Sequence, residues 1–142
     1  MKKKVLAVLM VIGIGCAGIS AQAAGNVSDT ALPTKKIEFA YSKAAQTPLR
    51  TKEDKTSHYI KNNSGFDLWV RSLSSSNVNC TLRDHAIVKG GEWFIYNKVK
   101  ENGYSSCKLD ITTARAGVSG TLRGLWSPDS VGTILWQIHS MN

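Results

Sequence analysis

Short runs rich in β-branched and aromatic residues recur along the chain, and in the first of them, at 37–41, large apolar residues alternate at period two as they would in a strand. These runs lie at 37–41, 58–61, 66–71, 86–89 and 92–97. From position 57 onward, turn-forming residues separate them every 8 to 15 residues, which is typical of an antiparallel all-β domain. We therefore predict a small antiparallel β-sandwich or barrel of about seven to nine strands.

The dipeptide Asn102-Gly103 is the strongest turn signal, because both residues tolerate the positive φ of a type I′ hairpin. As a two-residue loop, it would pair the strand around 94–98 with a strand at 107–111. This register gives the hairpin one apolar face. A last strand is expected at 133–138, where Ile134, Trp136 and Ile138 alternate with their neighbours.

The first 23 residues fall into three zones: a lysine-rich start, an apolar run at 5–17, and the small-residue pattern Ala21-Gln22-Ala23. This order predicts a secretory signal peptide at 1–23, cleaved after Ala23. The apolar run is shorter than the ~20 residues that a membrane span needs. The mature product is then periplasmic or secreted. Lipidation at Cys16 stays open as an alternative.

The predicted mature chain divides into two parts of different composition. Residues 24–56 are a polar lead with one possible strand at 37–41, and residues 57–142 form the core β domain. Loss of the leader removes three lysines, so 15 basic and 10 acidic residues leave a net charge of +5. The basic residues are spread evenly along the chain instead of forming a patch, so no nucleic-acid partner is predicted.

Two cysteines, Cys80 and Cys107, remain after cleavage. In an oxidising compartment such a pair predicts one disulfide, worth roughly 3–4 kcal/mol for a loop of this length. Their positions do not follow any Cys-x-x-Cys spacing, so neither a metal site nor a cofactor is predicted.

The sequence contains no Gly-x-Ser-x-Gly elbow, phosphate loop, dinucleotide fingerprint or His-Glu-x-x-His motif. We therefore predict that the protein is not an enzyme. One catalytic alternative stays open, a small basic secreted nuclease. Its general acid–base and phosphate-binding groups would be drawn from His85, His139, Glu92, Arg83 and Arg123.

Four residues are candidates for binding: Arg115, Trp69, Trp126 and Arg123. Arg115 lies in a run of small residues at 112–120, where a protruding guanidinium could enter an anionic cleft. This favours an exported, non-enzymatic protein of the inhibitor or immunity type, which neutralises a partner such as a cell-wall hydrolase or toxin. The alternative is a secreted glycan- or lipid-binding β-sandwich, possibly a toxin component, with Trp69 or Trp126 exposed. A homodimer through an exposed edge strand is also open.

Overall fold

The computed structural model describes residues 25–131. This range holds eleven strands and one 3₁₀ turn, Tyr41–Lys43. The strands in chain order are β1 (Thr30–Ala31), β2 (Lys36–Glu38), β3 (Ala45–Gln46), β4 (Arg50–Thr51), β5 (His58–Asn62), β6 (Leu68–Ser74), β7 (Ala86–Val88), β8 (Gly91–Ile95), β9 (Ser106–Thr113), β10 (Ser119–Thr121) and β11 (Gly124–Ser127). Their pairings are antiparallel. The predicted antiparallel all-β class is confirmed. The predicted signal peptide at 1–23 and the last strand at 133–138 lie outside the described residues.

The strands form two larger sheets and one ribbon. Sheet 1 has the order β1-β11-β5-β8, and sheet 2 has the order β3-β9-β6-β7 with β4 also paired to β9. The ribbon joins β10 to β2. Alternate residues point to opposite faces of a strand, and the inward residues of both sheets meet in one hydrophobic core. This core includes Ile60, Ile95 and Trp126 from sheet 1 and Val70, Leu109 and Ile111 from sheet 2.

Residues 25–56, predicted as part of a polar lead, contribute four short strands. β1 belongs to sheet 1, β3 and β4 belong to sheet 2, and β2 belongs to the ribbon. Arg50 connects the start of this segment to sheet 1 through hydrogen bonds. Its guanidinium donates to the Ser28 carbonyl at 2.7 Å, and to Thr30 Oγ1 and the Trp126 carbonyl, each at 3.1 Å. The predicted strand at 37–41 is shorter in the structure: β2 ends at Glu38, and the 3₁₀ turn begins at Tyr41.

The predicted hairpin around Asn102-Gly103 is wrong. β8 pairs with β5 in sheet 1, whereas β9 pairs with β6 in sheet 2, so the connection crosses between the sheets. Gly103 has a φ of +84°, but Asn102 does not adopt the positive φ that a type I′ turn requires. Instead, the Tyr104 N–H donates to the Val99 carbonyl at 3.0 Å, which closes a wider turn.

The predicted disulfide is also wrong, since Cys80 and Cys107 are both free, buried thiols. Ser74 of β6 is the register partner of Cys107, and the Cys80 N–H donates to the Ser72 carbonyl on the other side of β6. β6 therefore lies between the two cysteines. Two strand spacings separate their Cα atoms by roughly 10 Å, beyond the ~7 Å that a disulfide can bridge.

Candidate functional site: an aromatic cleft on sheet 2

The outward face of sheet 2 carries the side chains that the core does not use. Leu68 and Val70 of β6 point inward and are fully buried, so Trp69 and Arg71 point outward. On the neighbouring strand β9, Thr112 lies opposite Trp69.

Two further aromatic residues come from the segment that connects β2 to β3. Phe39 and Tyr41 are 42% and 52% exposed. Together with Ala40, Trp69 and Thr112 they line a cavity of about 230 Å³. We call this cavity the aromatic cleft. Its lining is mostly apolar and open to solvent, a surface suited to holding a ligand.

Trp69 is held in place by two neighbouring rings. The imidazole of His85 stacks on the indole at a centroid distance of 3.7 Å and an interplanar angle of 18°. The ring of Phe39 meets the indole edge-on at 5.7 Å. The indole Nε1 is buried and has no hydrogen-bond acceptor within residues 25–131. Trp69 is thus a preorganised part of the cleft with one unused donor.

Beside the cleft, Arg71 is fixed by an ion pair and a ring. Its Nε and Nη2 both contact Asp110 Oδ2, the former at 3.1 Å. Its guanidinium carbon lies 3.8 Å from the centroid of the Tyr41 ring. Gln46 Nε2 donates to the other oxygen of Asp110 at 3.0 Å. The guanidinium is therefore ordered, and the carboxylate of Asp110 balances its charge.

A second polar cluster, which the sequence did not predict, is buried where Lys52, directly after β4, meets Asp129, just after β11. The ammonium of Lys52 contacts Asp129 Oδ1, and both side chains are fully buried. Asp129 Oδ2 also accepts from the N–H groups of Asn26 and Glu53, at 2.8 and 2.9 Å. Burial by itself would raise the pKa of the Asp129 carboxyl, but these hydrogen bonds outweigh it and lower the pKa.

His58, the first residue of β5, lies between this cluster and Ser72 of β6. Its Nδ1 lies 2.7 Å from the Pro128 carbonyl oxygen, and its Nε2 lies 2.6 Å from Ser72 Oγ. Burial, reinforced by the charge of Lys52, lowers the pKa of the imidazole from 6.5 to about 3. Ser72 is also buried. The His58–Ser72 pair therefore has no surface at which a substrate could contact it.

The four predicted binding residues occupy different environments. Trp69 lies in the aromatic cleft. Trp126 is completely buried in β11, which contradicts its predicted exposure, because the segment 124–127 is a central strand and not a loop. Arg115 is exposed in the turn after β9, and Arg123 is exposed between β10 and β11.

Within residues 25–131, the groups named for the nuclease alternative lie apart from one another. His85 stacks on the outer side of sheet 2, whereas Glu92 is exposed on sheet 1 and accepts from the Tyr59 hydroxyl at 2.9 Å. Arg83 is exposed in the turn before His85, with a φ of +58°. His139 lies outside the described residues.

Residues 25–131 hold neither a candidate metal centre nor a candidate membrane span. No group of three histidine, cysteine or acidic side chains in this range is arranged to hold a metal ion. No helix in the same range has the length and apolar character that a bilayer crossing demands.

Fold and site together define a small antiparallel β protein with a solvent-open aromatic cleft on one sheet. Residues 19–130 match the family described as "Protein of unknown function (DUF2712)". Because this match covers most of the chain, the protein belongs to the DUF2712 family. No curated protein and no solved structure matches the chain.

Proposed function

We propose that the protein is an exported binding protein that holds its ligand at the aromatic cleft without transforming it chemically. The observation that carries this proposal is that two half-exposed rings, Phe39 and Tyr41, line one cavity together with the fixed indole of Trp69. Contiguous exposed apolar surface of this kind marks interaction sites. Aromatic side chains lose little conformational entropy on binding and supply a large contact area.

The export part of the proposal rests on the three-zone leader at 1–23. For the scaffold we propose a β-sandwich, because the inward faces of sheets 1 and 2 share one core. The side chains around the cleft suit binding better than catalysis. The oxygens of Asp110 already accept hydrogen bonds from Arg71 and Gln46, which leaves this carboxylate poorly placed to act as a base.

The test uses the mature chain, beginning at Ala24, immobilised and challenged with three kinds of ligand. These are soluble oligosaccharides, lipid vesicles and the exported proteins of the source cell. Tyr41→Ala removes one wall of the cleft at an exposed position. Tyr96→Ala is the matched control, because Tyr96 is a 37% exposed tyrosine outside the cleft.

We expect at least one ligand whose binding is weakened about tenfold or more by Tyr41→Ala and unchanged by Tyr96→Ala. The bound ligand should be recovered intact. The proposal is refuted if every ligand binds both variants equally, if no ligand binds, or if the ligand is recovered as a reaction product.

A second candidate function is the neutralisation of a protein partner such as a hydrolase or toxin through Arg115. The observation that favours it is the turn after β9, in which Arg115, Ala116 and Gly117 are all exposed. The turn is closed by the Val118 N–H, which donates to the Arg115 carbonyl at 3.2 Å. A guanidinium presented in this way can form two parallel hydrogen bonds with a carboxylate in an enzyme cleft.

Inhibition assays on a panel of cell-wall hydrolases test this candidate. Arg115→Ala should weaken inhibition of the target about tenfold or more, whereas Lys89→Ala, which removes an exposed cation between β7 and β8, should leave it unchanged. Equal effects of the two substitutions, or no inhibition of any hydrolase by the wild-type protein, would count against this role.

A further inference from the structure

We propose that the aromatic cleft takes one pyranose ring of an uncharged oligosaccharide. This inference rests on the proposed function, and it adds the chemical class of the ligand. It is carried by the size of the cleft, by the orientation of its rings and by the charge balance beside it.

Size limits the part of a ligand that can enter. The cleft encloses about 230 Å³, less than the roughly 300–1,000 Å³ of pockets that enclose a drug-sized molecule. It is also open to solvent along Phe39 and Tyr41, which are 42% and 52% exposed. One sugar ring of an oligosaccharide fits such a site, and the adjoining sugar rings would extend into solvent.

The rings around the cleft match the faces of a sugar. A pyranose ring with equatorial hydroxyl groups presents C–H bonds above and below its plane, and these pack on flat aromatic surfaces. One face of the Trp69 indole is covered by His85, and one face of the Tyr41 ring is covered by the Arg71 guanidinium. The remaining surfaces of Tyr41, Phe39 and Trp69 border the cavity.

Arg71 lies against the ring of Tyr41, which forms one wall of the cleft. Its Nε and Nη2 are engaged by Asp110, whereas its Nη1 contacts no acceptor within the described part of the chain. A guanidinium that is already ordered loses little entropy when it donates to a sugar hydroxyl.

Charge selects a neutral sugar over an acidic one. The positive charge of Arg71 is compensated by Asp110, which is only 3% exposed and lies at hydrogen-bond distance. No lysine or arginine lines the cavity among the residues that the structure describes. A carboxylate or phosphate on the ligand would therefore meet no uncompensated positive charge.

The probes are the hexasaccharides of β-1,4-linked glucose and of β-1,4-linked N-acetylglucosamine, with oligogalacturonate as the acidic comparison. Calorimetry gives the affinity, and saturation-transfer NMR reports which sugar protons lie against the protein. We expect one of the neutral hexasaccharides to bind with one ring C–H face in contact. Tyr41→Ala and Phe39→Ala should each weaken binding about tenfold or more, and Tyr96→Ala should not.

The outcomes separate this inference from the proposed function. Tighter binding of oligogalacturonate than of either neutral sugar, or binding that survives both cleft substitutions, overturns the inference. If no sugar binds but an exported protein or a vesicle is held in a Tyr41-dependent way, the inference fails and the proposed function stands. If nothing binds at the cleft, both fail.

Discussion

Acid should destabilise the fold through His58, because the structure allows only its neutral form. A carbonyl oxygen can only accept, so the Pro128 carbonyl requires the proton on His58 Nδ1, and Nε2 then accepts from the Ser72 hydroxyl. Both nitrogens are satisfied, and no water reaches the ring, which is 0% exposed. Burial and the Lys52 ammonium accordingly lower the pKa of the imidazole to about 3.

The magnitude follows from the difference in proton binding between the folded and unfolded states. The unfolded chain binds a proton at this residue near pH 6.5, whereas the folded chain does so near pH 3. Between these values the unfolded state binds more protons, so the free energy of unfolding falls as the pH falls. Each pH unit contributes about 1.4 kcal/mol. From pH 6.5 to about 4 the loss from His58 is therefore about 3 kcal/mol, and above pH 6.5 there is none.

Urea unfolding followed by tryptophan fluorescence, at intervals between about pH 4 and 8, measures this loss. The test compares the wild-type protein with His58→Gln, which keeps a polar side chain but does not titrate. His85→Gln is the matched control on the outer side of sheet 2. Asp129, whose pKa is lowered in the folded protein, is present in the wild type and in both variants, so its protonation contributes equally to each.

We expect the wild type and His85→Gln to lose about 3 kcal/mol more than His58→Gln over this range, at constant urea dependence. A pH titration by NMR gives a second measurement should the variant not fold. The His58 resonances of the wild type should not shift until the protein unfolds. The reasoning would be refuted by an equal pH dependence of the free energy of unfolding in the wild type and His58→Gln. It would also be refuted if the His58 imidazole titrated near pH 6.5 in the folded protein.

Two further predictions concern buried groups. Lys52→Met leaves the carboxylate of Asp129 buried without its cation, and it should lower the free energy of unfolding by about 3–5 kcal/mol. The exposed control Lys55→Met should change it by less than about 0.5 kcal/mol, and equal losses in urea unfolding would contradict this. The buried thiols of Cys80 and Cys107, whose pKa values burial raises, should resist alkylation until the chain unfolds. An intact mass showing that they are bridged would contradict this.

Sequence pattern located individual strands well but did not determine their partners. The predicted runs at 58–61 and 66–71 correspond to β5 and β6 within a few residues. Alternation and turn residues are local properties, so they mark where a strand begins and ends. The choice between a hairpin and a crossover depends on which sheet offers a free edge. For this reason the signal at Asn102-Gly103 was correct as a turn and wrong as a hairpin.

The buried cluster could not be predicted for a related reason. Lys52 lies in the charge-rich stretch 50–55 and Asp129 follows a proline, so both look solvated in the sequence. Their contact joins positions separated by 77 residues. Burial of either charge is favourable only because the other is present, and no pattern along the chain encodes that coincidence.

The sequence predicted one residue of the candidate site, Trp69. It did not predict the other two aromatic residues of the cleft, Phe39 and Tyr41. Phe39 and Tyr41 were assigned to a single strand at 37–41, in which side chains two apart share a face. In the structure β2 ends at Glu38, and the backbone turns before the 3₁₀ turn at Tyr41. This turn brings both rings over sheet 2.

The segment that carries these rings is held at both ends, and this bears on how the cleft can bind. β2 pairs with β10, and β3 pairs with β9. Between them, Lys35 Nζ donates to the Ala44 carbonyl at 2.8 Å and closes the segment on itself. Phe39 and Tyr41 thus keep a defined position relative to Trp69 before any ligand arrives. Because ordering side chains is a main cost of binding, a cleft built in this way can hold a ligand as small as one sugar ring.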